Sequence, residues 1–166
     1  MKYILKLIVV LSFLFVVAGT LAKATSHPAS FDVATVYAAL AGDNLNELEK
    51  ILALLKESTS PHKEAYEGAL LMKKAGLIHG LNDKLASFKA GRKKLESAIN
   101  QHTDNAEYRF LRLLIQENAP KILKYRNNIK DDSKLVIDSF SKLPIIVRQA
   151  VKDYSKKSKV LNNAAL

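Results

Sequence analysis

The sequence contains no cysteine, and it has only four prolines and six glycines among its 166 residues. The absence of cysteine excludes disulfides, thiolate metal sites, cysteine nucleophiles and a lipidated N-terminal cysteine. There is no low-complexity linker and no sign of a second domain. The residues are 48% hydrophobic and 25% charged, which excludes a wholly disordered chain, a collagen-like fibre and a multi-pass membrane protein.

The usual catalytic motifs are also missing. There is no G-x-S-x-G elbow, no glycine-rich phosphate loop and no dinucleotide fingerprint. The four histidines, His27, His62, His79 and His102, are scattered, and no two are spaced i, i+4 beside an acid as a zinc site requires. A glycosidase using paired carboxylates is possible in principle, but capping and solvation account for most of the 16 acidic residues. We therefore predict a non-enzymatic protein with no catalytic residue, cofactor or metal.

Residues 1–24 have the pattern of a secretory signal peptide. Lys2 and Lys6 precede an apolar run over residues 7–17, and residues 22–24 give the small-x-small pattern of signal peptidase sites. Cleavage two residues earlier fits nearly as well. The alternative is an uncleaved membrane anchor, but the run is short of the about 20 apolar residues that span a bilayer. The sequence therefore predicts a periplasmic or secreted protein with no transmembrane segment after cleavage.

The rest of the chain has the pattern of a single helical domain. We expect a flexible lead over 25–30, an all-helical domain over 31–154 and a basic, frayed tail over 155–166. Strand-like alternation is absent, so the fold class is all-α. About seven antiparallel helices are expected, in a repeat-like array of helical hairpins or in a compact bundle. They are predicted at about 31–41, 44–58, 60–77, 83–101, 104–118, 130–142 and 144–154.

Capping residues set most of the expected helix starts. Ser30 can cap the first helix, and Asn44 with Glu47 forms a capping box. Ser60-Pro61 is a common start for the third helix. A second capping box, residues 104–107, opens the fifth. Pro144 opens the seventh.

Two glycines indicate how the third and fourth helices pack. Gly68 and Gly91 lie inside helical patterns, where glycine costs about 1 kcal/mol relative to alanine. Both are eleven or twelve residues from the turn at His79-Gly80. In an antiparallel hairpin they would lie opposite each other and let the helix axes approach closely, although they can also be two unrelated, tolerated glycines.

The segment Gly91-x3-Leu95-x2-Ala98-x4-Thr103-Asp-Asn-Ala-Glu resembles the second helix and exit turn of a tetratricopeptide repeat. Those repeats usually carry alanine, an aromatic residue, alanine and proline there, so Gly91, Leu95 and Thr103 depart from the pattern. The 23-residue separation from Gly68 to Gly91 is longer than a repeat of roughly 34 residues allows. The resemblance covers about 60–118, and it implies a hairpin lengthened by more than a turn on each arm.

A second resemblance covers residues 105–120, Asn-Ala-Glu-Tyr-Arg-Phe-Leu-Arg-Leu-Leu-Ile-Gln-Glu-Asn-Ala-Pro, and residues 125–132, Tyr-Arg-Asn-Asn-Ile-Lys-Asp-Asp. These segments look like an uncharacterised family of small exported bacterial helical proteins. The resemblance implies a periplasmic, repeat-like helical domain. It implies no activity and therefore no catalytic residue.

The fifth helix is apolar around most of its circumference, which is typical of a central helix. Its remaining polar stripe is Arg109, Arg112 and Gln116, and the two arginines, one turn apart, can clamp a carboxylate or phosphate. The stripe is our candidate groove for a protein segment or an acidic ligand. Its arginines can equally be solvated or paired with acids of a neighbouring helix. We expect structural roles for Asn118, which can satisfy terminal carbonyls, and for Glu117, which can bind the following loop or Arg126.

The excess positive charge is confined to the C-terminal third. The whole chain has a formal net charge of +10, and residues 121–166 carry eleven Lys or Arg against four Asp or Glu. After an amphipathic helix, Lys152, Lys156, Lys157 and Lys159 form a candidate patch for anionic lipid or an acidic envelope polymer. A solvated basic face is the alternative. Export argues against nucleic acid as a partner.

Two functions of different classes follow. The first is a periplasmic, helical-repeat-like module that binds a protein partner in the cell envelope through the candidate groove. The second is a peripheral protein that binds anionic membrane or polymer through its basic C-terminal third.

Overall fold

The structure, a computed structural model, describes residues 31–162. The predicted signal peptide and flexible lead lie outside these residues. Within them the chain is all-helical and contains no strand. Its helices are α1 Val33–Ala41, α2 Leu45–Glu57, α3 Lys63–Leu77, α4 Leu81–Gln101, α5 Ala106–Asn118, α6 Ile129–Ser139 and α7 Ile145–Ser155. Short 3-10 turns at Lys121–Leu123 and Phe140–Lys142 follow α5 and α6.

Several helix starts differ from the predicted ones by one to three residues. Asp32, rather than Ser30, caps α1 by accepting from the backbone N–H of Ala34 at 2.9 Å. Asn44 caps α2 as expected. Helix α3 begins two residues after Pro61, because Ser60 Oγ binds the N–H of His62 and orders the preceding turn.

The start of α5 shows that the predicted capping box over 104–107 is wrong. Asn105 is the cap, and its side chain accepts from the backbone N–H groups of Glu107 and Tyr108 at 3.0 and 3.1 Å. The Glu107 carboxylate instead points into the core, where it accepts from the hydroxyls of Tyr37 at 2.9 Å and Tyr66 at 2.5 Å. Two phenol donors thus satisfy a carboxylate that is only 6% exposed.

Gly68 of α3 and Gly91 of α4 lie directly against each other. A Cβ added to Gly68 would lie 2.8 Å from the carbonyl oxygen of Gly91, and one added to Gly91 would lie 2.5 Å from that of Gly68. Along α4 from Ser87 to Lys94, the partners on α3 run backwards from Leu71 to Glu67. The two helices therefore pack backbone to backbone. Gly80, with φ of 81°, makes the turn between them in a conformation that favours glycine.

Helix α5 is the centre of the fold, as its apolar circumference predicted. Ten of its 13 residues are buried, and it packs against α3, α4, α6 and α7. A line of aromatic rings crosses the core beside it. Tyr37 lies 5.9 Å from Phe110, and Phe110 lies 6.0 Å from Tyr154, measured between ring centroids. Helices α1, α5 and α7 therefore share one aromatic core.

The C-terminal segment is held against the domain and is not frayed over 155–162. Leu161 is 1% exposed. Glu117, at the end of α5, accepts from Ser158 Oγ at 2.6 Å and from the backbone N–H of Lys159 at 2.8 Å. The buried Leu161 and the hydrogen bonds to Glu117 therefore hold the segment against the domain. Glu117 binds this segment and not the loop that follows α5 or Arg126, so both predicted partners of Glu117 are wrong.

Candidate anion-binding cleft

The three residues of the predicted groove lie side by side in one wall of a polar cleft. We call this the basic cleft, and its volume is about 370 Å³. Its main walls are Arg92 and Glu96 of α4, Arg109, Arg112 and Gln116 of α5, and the segment 124–128.

Arg112 is a buried structural side chain and not a free ligand clamp. It is 3% exposed, and its Nε and one terminal nitrogen donate to the two oxygens of Asp132 at 2.7 and 2.8 Å. Its other terminal nitrogen donates to Glu96 at 2.8 Å. Burial lowers the pKa of the guanidinium, but the bonds and charges of Asp132 and Glu96 outweigh burial and raise it overall. This fork ties α5 to both α6 and α4.

Arg109 and Gln116 are also engaged by the protein itself. Arg109 donates to the carbonyl oxygen of Thr103 and to Asp132 at 3.1 Å. Gln116 is fully buried and donates to Asn128 Oδ1 at 3.2 Å, while its Oε1 has no hydrogen-bond partner in the described chain. Pairing with a neighbouring helix, the alternative interpretation of the stripe, is therefore what both arginines show.

The unpaired cations of the basic cleft are residues that the sequence pattern did not single out for it. Arg92, Lys124 and Arg126 line the cleft. Within residues 31–162, none of them forms an ion pair with a carboxylate. They come from α4 and from a loop, so no helical periodicity connects them. For Lys124 and Arg126 the one usable signal is the concentration of basic residues that begins at Lys121.

Tyr125 positions two of the charged groups in the cleft. Its hydroxyl donates to Glu96 at 2.6 Å, and the Arg92 guanidinium lies 4.8 Å from its ring centroid. Burial, followed by the bond to Glu96, raises the pKa of the Tyr125 hydroxyl. The face of the Tyr125 ring therefore binds the Arg92 guanidinium, and the Tyr125 hydroxyl fixes the position of the Glu96 carboxylate.

The predicted lysine patch is exposed, but it is not uniformly free of partners. Lys156 pairs with Asp153 at 2.6 Å. The ammonium groups of Lys152 and Lys157 lie 5.8 and 5.6 Å from the ring centroids of Phe140 and Tyr154. Lys159 is exposed. The four side chains thus face solvent at the end of α7 and in the segment that follows.

Asn118 has the structural role that the sequence predicted, and it also makes a second contact. Its side chain donates to the carbonyl oxygen of Leu114 at 2.7 Å and to the hydroxyl of Tyr154 at 3.0 Å. The same amide therefore satisfies the end of α5 and fixes α7.

Other polar clusters of the described chain offer no metal site. No group of three or more His, Asp or Glu side chains within residues 31–162 is arranged to hold an ion. In that same range, no helix is long and apolar enough to cross a membrane.

Comparison with known proteins gives no match to a protein-family model, to a curated protein or to a solved structure. The geometry of the chain is therefore the basis for its proposed function.

Proposed function

We propose that the protein is a non-enzymatic, exported binding module whose basic cleft takes an acidic segment of a protein partner. The observation that carries this proposal is the charge balance of the cleft. The carboxylates of Asp132 and Glu96 already form ion pairs with Arg109 and Arg112. Three further cations line the cleft without a carboxylate of their own.

The neutral side chains of the cleft favour a peptide over a simple anion. Asn100, Asn127 and Asn128 line it beside the cations. A carboxamide both donates and accepts hydrogen bonds, as a peptide group does. A segment with acidic side chains and free backbone N–H groups supplies both kinds of partner.

In this proposal Arg109 and Arg112 stabilise the wall of the cleft. The bound segment contacts the three unpaired cations, Arg92, Lys124 and Arg126. Reversing the charge of Arg112 would place a buried acid against the carboxylates of Asp132 and Glu96, so loss of binding in that variant would report unfolding. The test therefore belongs at Arg92 and Lys124, which are both exposed.

The test is fluorescence anisotropy of a labelled hexaglutamate peptide at low and high salt. We expect Arg92→Glu combined with Lys124→Glu to weaken binding at least about tenfold, or about 1.4 kcal/mol. The matched control is Lys89→Glu with Lys93→Glu, two exposed positions of α4 outside the cleft that change the net charge equally. Equal weakening by both double variants would show a diffuse basic surface and would contradict the cleft.

The lysine patch supports a second candidate, binding to an anionic membrane or polymer surface. Its four exposed side chains lie within eight residues of one another. The vesicle test uses charge reversal of Lys156, Lys157 and Lys159 together. Truncation after Tyr154 is unsuitable because it would remove the buried Leu161. Salt-sensitive binding to anionic vesicles that the triple variant loses would support this candidate, and equal binding to neutral vesicles would contradict it.

The architecture that we propose is a helical-hairpin array. The α3–α4 pair supports it through the facing glycines and the opposed order of contacts. The tetratricopeptide-like features of α4 favour the same arrangement. The signal-peptide pattern of residues 1–24 is what supports a location in the periplasm or outside the cell in this proposal.

A further inference from the structure

A second, larger cavity lies on the opposite side of α5 from the basic cleft. Its volume is about 1060 Å³, and helices α1, α3, α4, α5 and α7 all contribute to its wall. We call it the apolar cavity. Its wall includes Ala38 of α1, Gly76 of α3, Phe88 of α4, Leu114 of α5 and Ala150 of α7. This volume is slightly above the range of about 300–1,000 Å³ that is usual for small-molecule sites.

Small residues keep this cavity open. Ala34, Ala38 and Ala41, spaced along one face of α1, all line it and are exposed. Gly76 lies inside α3, where glycine is less stable than alanine, and a Cβ added there would meet no atom within 4 Å. Gly68 in the same helix is required by close packing, but packing does not explain Gly76. The structural consequence of glycine at this position is therefore the open volume of the cavity beside it.

The wall also leaves large apolar side chains in contact with solvent. Leu81 is 81% exposed, Ile122 is 86% exposed and Ile146 is 39% exposed. All three line the cavity. Exposed apolar surface concentrated around one concavity is typical of a ligand site.

The charges at the edge of the cavity have a surplus of one sign. Asp43 is paired with Lys73 at 2.9 Å, and Asp153 is paired with Lys156 at 2.6 Å. Lys84 and Lys157 also line the cavity, and neither forms an ion pair within residues 31–162. The edge therefore favours an anionic group, while the interior favours hydrocarbon.

We propose that the apolar cavity binds a long-chain fatty acid. The acyl chain lies against the wall formed by Phe88, Leu114 and the small residues of α1 and α3. The carboxylate lies at the edge, where Lys84 and Lys157 supply the positive charge. A wall contributed by five helices surrounds a slender hydrocarbon on several sides, and burial of each methylene group stabilises the complex.

The first test is calorimetric titration of the protein with laurate and with decanoate below their micelle concentrations. Loss of two methylenes is expected to weaken binding about 15-fold, since each contributes roughly a factor of four. We expect Gly76→Phe to weaken laurate binding at least about tenfold by filling the cavity, while Gly76→Ala retains it. Ala38→Phe fills the cavity from α1 and provides a second, independent variant.

The head-group contact is tested by Lys84→Glu combined with Lys157→Glu, with Lys89→Glu and Lys93→Glu as the control of equal charge. Only the first pair is expected to weaken laurate binding at low salt. Three outcomes would overturn the proposal. They are no laurate binding by the unaltered protein, undiminished binding by both folded phenylalanine variants, and binding of an amphipathic helical peptide or of anionic vesicles in place of laurate. The variants that test the basic cleft change no residue of this cavity. Failure of the fatty-acid proposal can therefore be distinguished from failure of the peptide proposal.

Discussion

Two glycines of α3 have opposite surroundings, and replacing each with alanine tests the packing of the domain. In Gly68→Ala the new Cβ would lie 2.6 Å from the backbone nitrogen of Leu95 and 2.8 Å from the Gly91 carbonyl oxygen. Both are backbone atoms, so no side-chain rotation relieves the overlap. In Gly76→Ala the new Cβ meets nothing within 4 Å. The same chemical change therefore has opposite expected signs in one helix.

The magnitudes follow from two competing terms. Alanine in place of helical glycine stabilises by about 1 kcal/mol. Overpacking a close contact costs about 3 kcal/mol at the upper end of its usual range, and contact with backbone places Gly68 there. We therefore expect Gly68→Ala to lower the free energy of unfolding by about 2 kcal/mol. Gly76→Ala should raise it by up to about 1 kcal/mol.

Urea denaturation followed by circular dichroism measures both changes. At this chain length 1 kcal/mol moves the melting temperature by about 2–4 °C, so Gly68→Ala should melt about 4–8 °C lower. The m-value should stay constant, since neither change alters the surface exposed on unfolding. Gly91→Ala is expected to behave like Gly68→Ala. If Gly68→Ala proved as stable as Gly76→Ala, α3 and α4 would not be in backbone contact, and the hairpin described above would be wrong.

Three further predictions concern the ion-pair network, the tyrosines and the tail. Arg112→Ala should destabilise the fold by about 3 kcal/mol, because it removes two of the three hydrogen bonds that the buried Asp132 carboxylate accepts and leaves only Arg109 paired with it. Lys134 and Asp138 form an exposed ion pair one turn apart on α6 and serve as the control. Lys134→Ala should cost about 0.5 kcal/mol or less by the same denaturation assay. Burial is the largest cause that raises the pKa of Tyr37, Tyr66, Tyr108, Tyr125 and Tyr154. Stability should therefore be complete below a pH of about 10, the ordinary tyrosine pKa, and fall as pH rises above it. In an alkaline titration, tyrosinate absorbance should appear together with unfolding, and ionisation of all five at their ordinary pKa in the folded protein would contradict the burial. Leu161→Ala should cost about 2–3 kcal/mol, whereas a frayed tail would give no change in melting temperature.

The helices could be predicted from the sequence because their signals are local. Spacing of apolar residues and capping side chains placed all seven within a few residues of their observed bounds. The facing glycines were also predictable, since their equal distance from the turn at 79–80 sets their register. The start of α5 was misplaced, because Asp104 and Asn105 are adjacent residues of similar capping preference. Asn105 is the cap in the structure, and Glu107 binds Tyr37 and Tyr66, which are far away in the chain.

The basic cleft could be predicted only in part, because its charge balance is a tertiary property. The stripe of Arg109, Arg112 and Gln116 is visible from helical periodicity. Its neutralisation by Asp132 depends on the packing of α6 against α5, which no local pattern encodes. The cations that remain unpaired are separated by about 30 residues in the chain, on α4 and in a loop. The side chains of the periodic stripe therefore make contacts within the protein. The exposed cations of the cleft are at positions that helical periodicity does not identify.

The central position of α5 explains why both proposed sites share a wall. One face of the helix carries the arginines that bind Asp132, and another carries Phe110 and Leu114, which line the apolar cavity. The rings of Phe88 and Tyr125, one in each wall, meet edge to face at 5.7 Å. A helix buried around most of its circumference gives a rigid partition, because close-packed interiors resist deformation. A polar site and an apolar site can therefore lie back to back in a domain of this size without either one opening into the other.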